Sequence, residues 1–212
     1  MFRQLSAIAT LASLCLVTAC AVNPVTGRNE LSLVSEAQER QIGAEQYGPS
    51  QQSQGGQFEV DPELTAYVSE VGQRLAAVSD RQLDYEFVVL NNGVPNAWAL
   101  PGGKIAVNRG LLYELNTEAE LAAVLGHEIT HAAARHGAQS MTRGTLLQGA
   151  LAVGTIAVAV NDDLRPFGDY IVGGAQLGAQ LITQTYGRDA ERESDYYGIQ
   201  YMVKAGYDPR AA

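Results

Sequence analysis

The sequence predicts an α+β domain, mainly helical, with a small β-sheet, and three features lead to that expectation. Apolar residues recur at helical spacing through Leu64, Tyr67, Val68, Val71 and Leu75, and a second strongly helical segment runs from Glu118 to His136. Tyr85 to Leu90 is rich in β-formers and ends at the turn signal Asn91-Asn92-Gly93. Ala97 to Leu100 and Lys104 to Asn108 flank Pro101-Gly102-Gly103 as the arms of a hairpin. With 212 residues, 46% of them apolar, the chain has material for one compact domain with a core and not for two.

Residues 1–19 read as a secretory signal: Arg3 is a short basic region, Leu5 to Val17 an apolar run, and Thr18-Ala19-Cys20 a small-residue end. The run is shorter than the roughly 20 residues that a membrane-spanning helix needs. Leu16-Val17-Thr18-Ala19-Cys20 resembles the lipobox of bacterial lipoproteins, which implies cleavage before Cys20 and lipid attachment at that residue. The other cysteine, Cys15, falls inside the signal, so the mature chain has neither a cysteine pair nor a thiolate cluster, and any metal must be held by His and carboxylates. Residues 20–57 read as an N-terminal tether. It carries one short helix, Glu36 to Tyr47, behind the capping box Ser35-x-x-Gln38, and then a Gln-, Ser- and Gly-rich linker from Pro49 to Gln57.

The domain proper is expected over 58–212. Asp61 caps a helix that starts at Pro62. Thr117-x-x-Glu120 is a second capping box, and Gly137 suits a left-handed cap after His136. Leu146 to Val160 reads as a buried helix, Asn161 to Pro166 as a break, and Ile171 to Ile182 as a Gly- and Ala-rich stretch. A last helix spans about Asp189 to Lys204. The formal net charge is −9 and Lys and Arg are scattered, which argues against nucleic-acid binding and gives no electrostatic reason to adhere to an anionic membrane. Membrane attachment is therefore expected to rest on acyl chains at Cys20.

The chemistry is concentrated on the helix from Glu118. His127-Glu128-Ile129-Thr130-His131 places two imidazoles four residues apart, one turn above each other on one face, where both can reach a single ion. Two of the three histidines in the chain fall into this pattern, within a segment of small and apolar residues where uncompensated polar groups would be costly. Glu128 lies about 100° around the helix from His127, the position of a general base rather than of a ligand. A third ligand is expected from the acidic segment Arg188 to Asp195. Spacing alone leaves Glu191 and Glu193 both open, although Glu191 shares a helical face with Asp195, which can accept a hydrogen bond from a ligating histidine. His136, five residues after His131, leaves the metal-facing stripe and is read as a cationic cap of the helix C-terminus. Arg188, Tyr186 and Tyr196 are candidates, by residue type only, for stabilising a tetrahedral oxyanion.

Together the His-Glu-x-x-His helix, the upstream Asn96-Ala97-Trp98-Ala99-Leu100-Pro101-Gly102-Gly103, the downstream Arg188-x-x-Glu191-x-Glu193-Ser194-Asp195 and Asn23-Pro24-Val25-Thr26-Gly27-Arg28 resemble the M48 family of metallopeptidases, in particular its periplasmic, lipid-anchored members. Ser194 stands where the family usually has alanine and Gly187 where it often has serine; neither is a ligand position. The resemblance implies a zincin-type, gluzincin-like fold and one zinc ion per chain. It assigns His127, His131 and Glu191 as ligands and Asp195 as the partner of a ligating histidine. It also implies that Asn96, Ala97, Trp98, Ala99 and Leu100 border the cleft and pair with an extended substrate. Family members usually continue past the counterpart of Tyr207-Asp208-Pro209-Arg210, so residues 58–212 are read as a peptidase domain open to truncation at its C-terminal end.

The expected activity is zinc-dependent endoproteolysis of unfolded or misassembled cell-envelope proteins by an outer-membrane lipoprotein facing the periplasm. The rivals are a chaperone-like assembly factor on the same fold with weak or suppressed cleavage, and a structural metalloprotein whose zinc is closed by a fourth protein ligand.

Overall fold

The computed structural model describes residues 20–160 and 186–212. The expected signal over 1–19, the break at Asn161 to Pro166 and the stretch Ile171 to Ile182 lie outside the described residues. The described chain opens with a hairpin that the sequence did not suggest: β1 (Cys20–Val22) pairs antiparallel with β2 (Asn29–Leu31), Cys20 opposite Leu31. Helix α1 (Glu36–Ser53) follows, and both halves of the predicted capping box form. Ser35 Oγ accepts from the Gln38 amide at 3.3 Å, and Gln38 Oε1 accepts from the Ser35 amide at 2.9 Å.

The helix expected to stop at Tyr47 runs six residues further, through Pro49, so much of the stretch read as linker is helical. The last turn is held by contacts that composition does not reveal. Gln51 is buried and accepts from Gln57 Nε2 at 2.9 Å. Gly55 and Gly56, both at positive φ, then turn the chain so that the Phe58 amide donates to Val89 at 2.9 Å.

Helix α2 (Pro62–Ala76) starts as predicted, with Asp61 Oδ1 accepting from the Leu64 amide at 3.1 Å, and buries Val68, Val71 and Leu75. The sheet contains β3 (Glu86–Leu90), β4 (Ala97–Leu100) and β5 (Lys104–Asn108) in the order β3-β5-β4. Strands β3 and β5 are parallel, while β4 and β5 form the expected hairpin with Leu100 opposite Lys104. Alternation along the strands splits the apolar residues between two faces. Phe87, Val89, Ile105 and Val107 join the main core with α2 and helix α4 (Glu118–Ala133); Val88, Leu90 and Ala106 pack with Trp98 and with Tyr47 of α1. The short helix α3 (Arg109–Glu114) connects β5 to α4.

Helix α4 ends earlier than the sequence suggested. It closes at Ala133, Arg135 takes the left-handed conformation (φ 67°) assigned to Gly137, and a new helix α5 (His136–Val160) begins at once. Gly137 serves packing instead: a Cβ there would lie 2.9 Å from Pro101 Cγ. Thr117 Oγ1 accepts from the Glu120 amide at 3.2 Å, but the Glu120 carboxylate turns to the Asn116 amide, so the second capping box is only half formed. Helix α5 is buried at Ala138 and Thr142, whereas Leu146, Val153 (69%) and Ile156 are exposed and Leu147 and Leu151 only half-buried, so the described part of this stretch is not the buried helix expected. The described neighbours cover only its first turns. No helix among the described residues is long and apolar enough to cross a membrane. Helix α6 (Arg188–Lys204) ends before Gly206, which adopts φ 87°.

A buried ion cluster ties α1 to the end of α4. Glu39, fully buried, accepts from Arg81 Nη1 at 2.8 Å and from the Arg135 guanidinium, and Arg135 Nη2 also donates to the Val34 carbonyl at 2.8 Å. Removing the carboxylate would leave Arg135 without this counter-charge and Arg81 with the Ala132 carbonyl at 3.3 Å and a 3.8 Å contact to the exposed Glu36 carboxylate. Glu39→Ala is therefore expected to lower the unfolding free energy by about 3 kcal/mol or more, read from urea denaturation of the purified chain.

Candidate active site

Helices α4 and α6 cross with their backbones in contact. A Cβ on Gly126 would lie 2.8 Å from the Gly198 carbonyl oxygen, and one on Gly198 would lie 2.8 Å from the His127 amide nitrogen. Small residues at this crossing let the polar side chains of both helices meet. His127 Nε2 and His131 Nε2 are 2.9 Å apart, and Glu191 places Oε2 3.5 Å from the first and Oε1 3.7 Å from the second. One ligand atom from each of the three residues lies within 4.8 Å of the others.

The outer nitrogens of both rings are already engaged. His127 Nδ1 is 2.9 Å from Asp195 Oδ1, one turn after Glu191 on α6. His131 Nδ1 is 2.8 Å from His136 Nδ1, and His136 Nε2 is 3.2 Å from Glu193 Oε1. With Nδ1 of each α4 histidine bonded outward, both Nε2 lone pairs and the Glu191 carboxylate face one point. Nitrogen ligands at about 2.0–2.1 Å from a tetrahedral ion are about 3.3 Å apart, close to the separations here, so this donor set fits a metal. Burial, then the neighbouring His127 and His136, push His131 down to about 2, so its ring is neutral as a ligand must be.

His136 is the main residue that the sequence reading misplaced. It opens α5 rather than capping α4, and its two nitrogens face His131 and Glu193, with Ser194 Oγ at 3.4 Å. It therefore has no nitrogen left for the metal position, and a fourth protein ligand from His136 is ruled out by this geometry. Glu193, which spacing leaves open beside Glu191 as a ligand, instead holds His136. No spacing pattern signals this: the helix restarts at His136 after Arg135 takes positive φ, and Gly137 packs against Pro101, far away in sequence.

Glu128 is buried beside the three donors, on the wall shared by a cleft of about 810 Å³ and a second of about 620 Å³. Burial, aided by the Glu191 charge, raises its carboxyl to about 8. Of the residues considered for the oxyanion, Tyr186 is at the site: its ring stacks on His131 with centroids 4.2 Å apart, and its hydroxyl is 3.5 Å from the Ala99 carbonyl. Tyr196 is exposed against Tyr197, and Arg188 is exposed at the start of α6.

Strand β4 lies at the sheet edge and lines the larger cleft from Ala97 to Leu100. The Asn96 carbonyl accepts from the Asn108 amide at 2.9 Å, towards β5, so by alternation the backbone groups of Ala97 and Ala99 face the cleft. Trp98 packs edge-on against Tyr47 with ring centroids 6.1 Å apart.

The raised Glu128 carboxyl has a defined consequence for the metal-free protein. Its folded-state value of about 8 exceeds the ordinary 4.5, so the stability it contributes at low pH is lost as pH rises between those values. Glu128→Gln removes that titration. The metal-free variant should gain stability relative to metal-free wild type across this range, by at most about 1.4 kcal/mol per pH unit, read from urea midpoints in chelator.

A family model described as Peptidase family M48 matches residues 62–212. The chain is 33% identical over 153 residues to the beta-barrel assembly-enhancing protease of Yersinia pestis, covering 71% of this chain and 32% of that protein. It is 30% identical over 192 residues to the protein of the same name in Escherichia coli K12, covering 89% of this chain and 39% of that one. With the mitochondrial metalloendopeptidase OMA1 of Arabidopsis thaliana it shares 35% identity over 133 residues, 61% of this chain and 24% of that protein. The chain thus spans about a third of the length of such relatives. The match over most of its length, on the residues that carry the His-Glu-x-x-His helix and its acidic partner helix, shows that the chain belongs to peptidase family M48, a family of metallopeptidases.

Proposed function

We propose that the chain is a zinc-dependent endopeptidase acting on unfolded or misassembled cell-envelope proteins. The observation that carries this reading is the convergence of His127, His131 and Glu191 on one point with the buried carboxylate of Glu128 beside it on the cleft wall. In this reading the three residues hold one zinc ion, and Asp195 fixes the His127 ring through its Nδ1 proton. Zinc held there would act as a Lewis acid, lowering the pKa of water and polarising a carbonyl. Glu128 accepts the proton of the attacking water on its carboxylate and delivers it to the leaving amine. Strand β4 binds substrate by adding an extended segment to the sheet edge, mainly through the backbone of Ala97 and Ala99 within the stretch Asn96 to Leu100, which suits unfolded chains of varied sequence.

The substrate class draws on the bacterial relatives, whose name refers to β-barrel assembly. Lipid at Cys20 would attach β1 to the outer membrane from its periplasmic side. One observation favours a second reading, a chaperone-like assembly factor with suppressed cleavage: Tyr186 covers His131 and bonds to Ala99 on the β4 edge, where substrate would lie.

The test is casein hydrolysis by the purified chain with added zinc, wild type against Glu128→Gln. The peptidase reading expects wild type to cleave and the variant, with zinc still bound, to lose at least about a hundredfold in rate. Zinc binding by both without cleavage by either would contradict it and favour the assembly-factor reading.

A further inference from the structure

Two features are left unused by the peptidase chemistry: the turn Asn23-Pro24-Val25-Thr26-Gly27-Arg28 and the side chain of His136. They meet at Glu193. Asn23 lies in the loop between β1 and β2, yet it is only 2% exposed. Its Oδ1 accepts from the amides of Val25 at 2.9 Å and Thr26 at 3.2 Å. Its Nδ2 donates to Glu30 Oε1 at 3.1 Å and to Glu193 Oε1 at 3.0 Å. A primary amide offers two donor hydrogens and one oxygen with two lone pairs, so every capacity of this side chain is used. Aspartate, of nearly the same shape, would keep the turn but present an acceptor to two carboxylates.

The same Glu193 oxygen receives His136 Nε2, and His136 Nδ1 meets His131 Nδ1. If His131 offers the Nε2 lone pair to a metal, its proton sits on Nδ1 and is donated to His136 Nδ1. The His136 proton must then sit on Nε2 and be donated to Glu193. Each link therefore has one sense of donation, and the far end is set by the amide of Asn23. The hairpin is fastened to α5 as well, because Glu30 accepts from Gln139 Nε2 and the Leu33 amide donates to Thr142 Oγ1 at 2.9 Å.

Building on the zinc reading, we propose that Asn23 is a positioning residue of the metal site. The hairpin that it closes holds Glu193, and through His136 it fixes the tautomer and ring orientation of His131. The N-terminal segment is on this account a working part of the metal centre, although none of its residues reaches the metal position.

The test is zinc affinity of the full chain by competition with a chromophoric chelator, with the visible spectrum of the cobalt-substituted protein and the unfolding midpoint of the metal-free form measured alongside. Asn23→Asp is expected to weaken zinc binding by about tenfold or more and to alter the cobalt spectrum. The double variant Asn23→Asp/Glu193→Gln, which exchanges acid and amide across the contact, should recover a substantial part of that loss. A folded Asn23→Asp with wild-type zinc affinity and an unchanged cobalt spectrum would overturn the proposal. Should Asn23→Asp fail to fold, Glu193→Gln alone tests the relay: several-fold weaker zinc binding supports it and wild-type affinity overturns it. Failure of wild type itself to bind zinc would instead remove the zinc reading on which the proposal rests.

Discussion

Helices α4 and α6 touch backbone to backbone at Gly126 and Gly198, and the candidate metal site depends on that separation. His127 and His131 reach a common point because they lie one turn apart on α4. Glu191 joins them because it sits two turns before Gly198, on the face of α6 that the crossing presses against α4. Asp195, one turn nearer the crossing, meets the outer nitrogen of His127 for the same reason. Any side chain at either glycine would separate the helices by an amount comparable to the distances on which coordination depends.

Burial gives the site its chemistry and also its cost. Most of α4 from Leu125 to Ala133 is buried, with His127 half-buried at the cleft, and this burial keeps His131 neutral and makes Glu128 a stronger base than an exposed carboxylate. Enclosed polar groups are destabilising unless bonded, and here partners come from several elements. Thr130 donates back to the Gly126 carbonyl at 2.8 Å, Asp195 comes from α6, and His136 from α5. Glu39 works in the same way one turn further on. It neutralises Arg81 and Arg135, and Arg135 occupies the left-handed position that lets α5 start immediately after α4 and bring His136 back onto His131.

Much of this architecture was legible in the sequence because it rests on local rules. The Asp61 and Ser35 caps, the β4-β5 hairpin around Pro101-Gly102-Gly103 and the mainly helical α+β class follow from spacing and turn chemistry, and each is found. The pairing of His127 and His131 on one helical face is equally local. What could not be read depends on contacts between distant segments. Helix α1 continues past Tyr47 into a turn that docks on β3, where the Phe58 amide donates to Val89 and the Asn91 amide to Gly56, and composition does not show this. The break at Arg135 reflects the Glu39 carboxylate about a hundred residues earlier, and the place of Gly137 against Pro101. His136 and Glu193 were assigned from their own helices, whereas their surroundings come from three separate elements. The β1-β2 hairpin has too few apolar residues to announce itself as strands.

The central claim is that two histidines and one carboxylate hold a single zinc with a position left open for water. X-ray absorption at the zinc edge of the loaded chain tests it most directly. The account predicts one zinc per chain with two imidazoles and two oxygen donors in its first shell at about 2.0 Å, and strongly weakened zinc binding in Glu191→Ala. Three imidazoles around the zinc, or wild-type zinc affinity in Glu191→Ala, would contradict it.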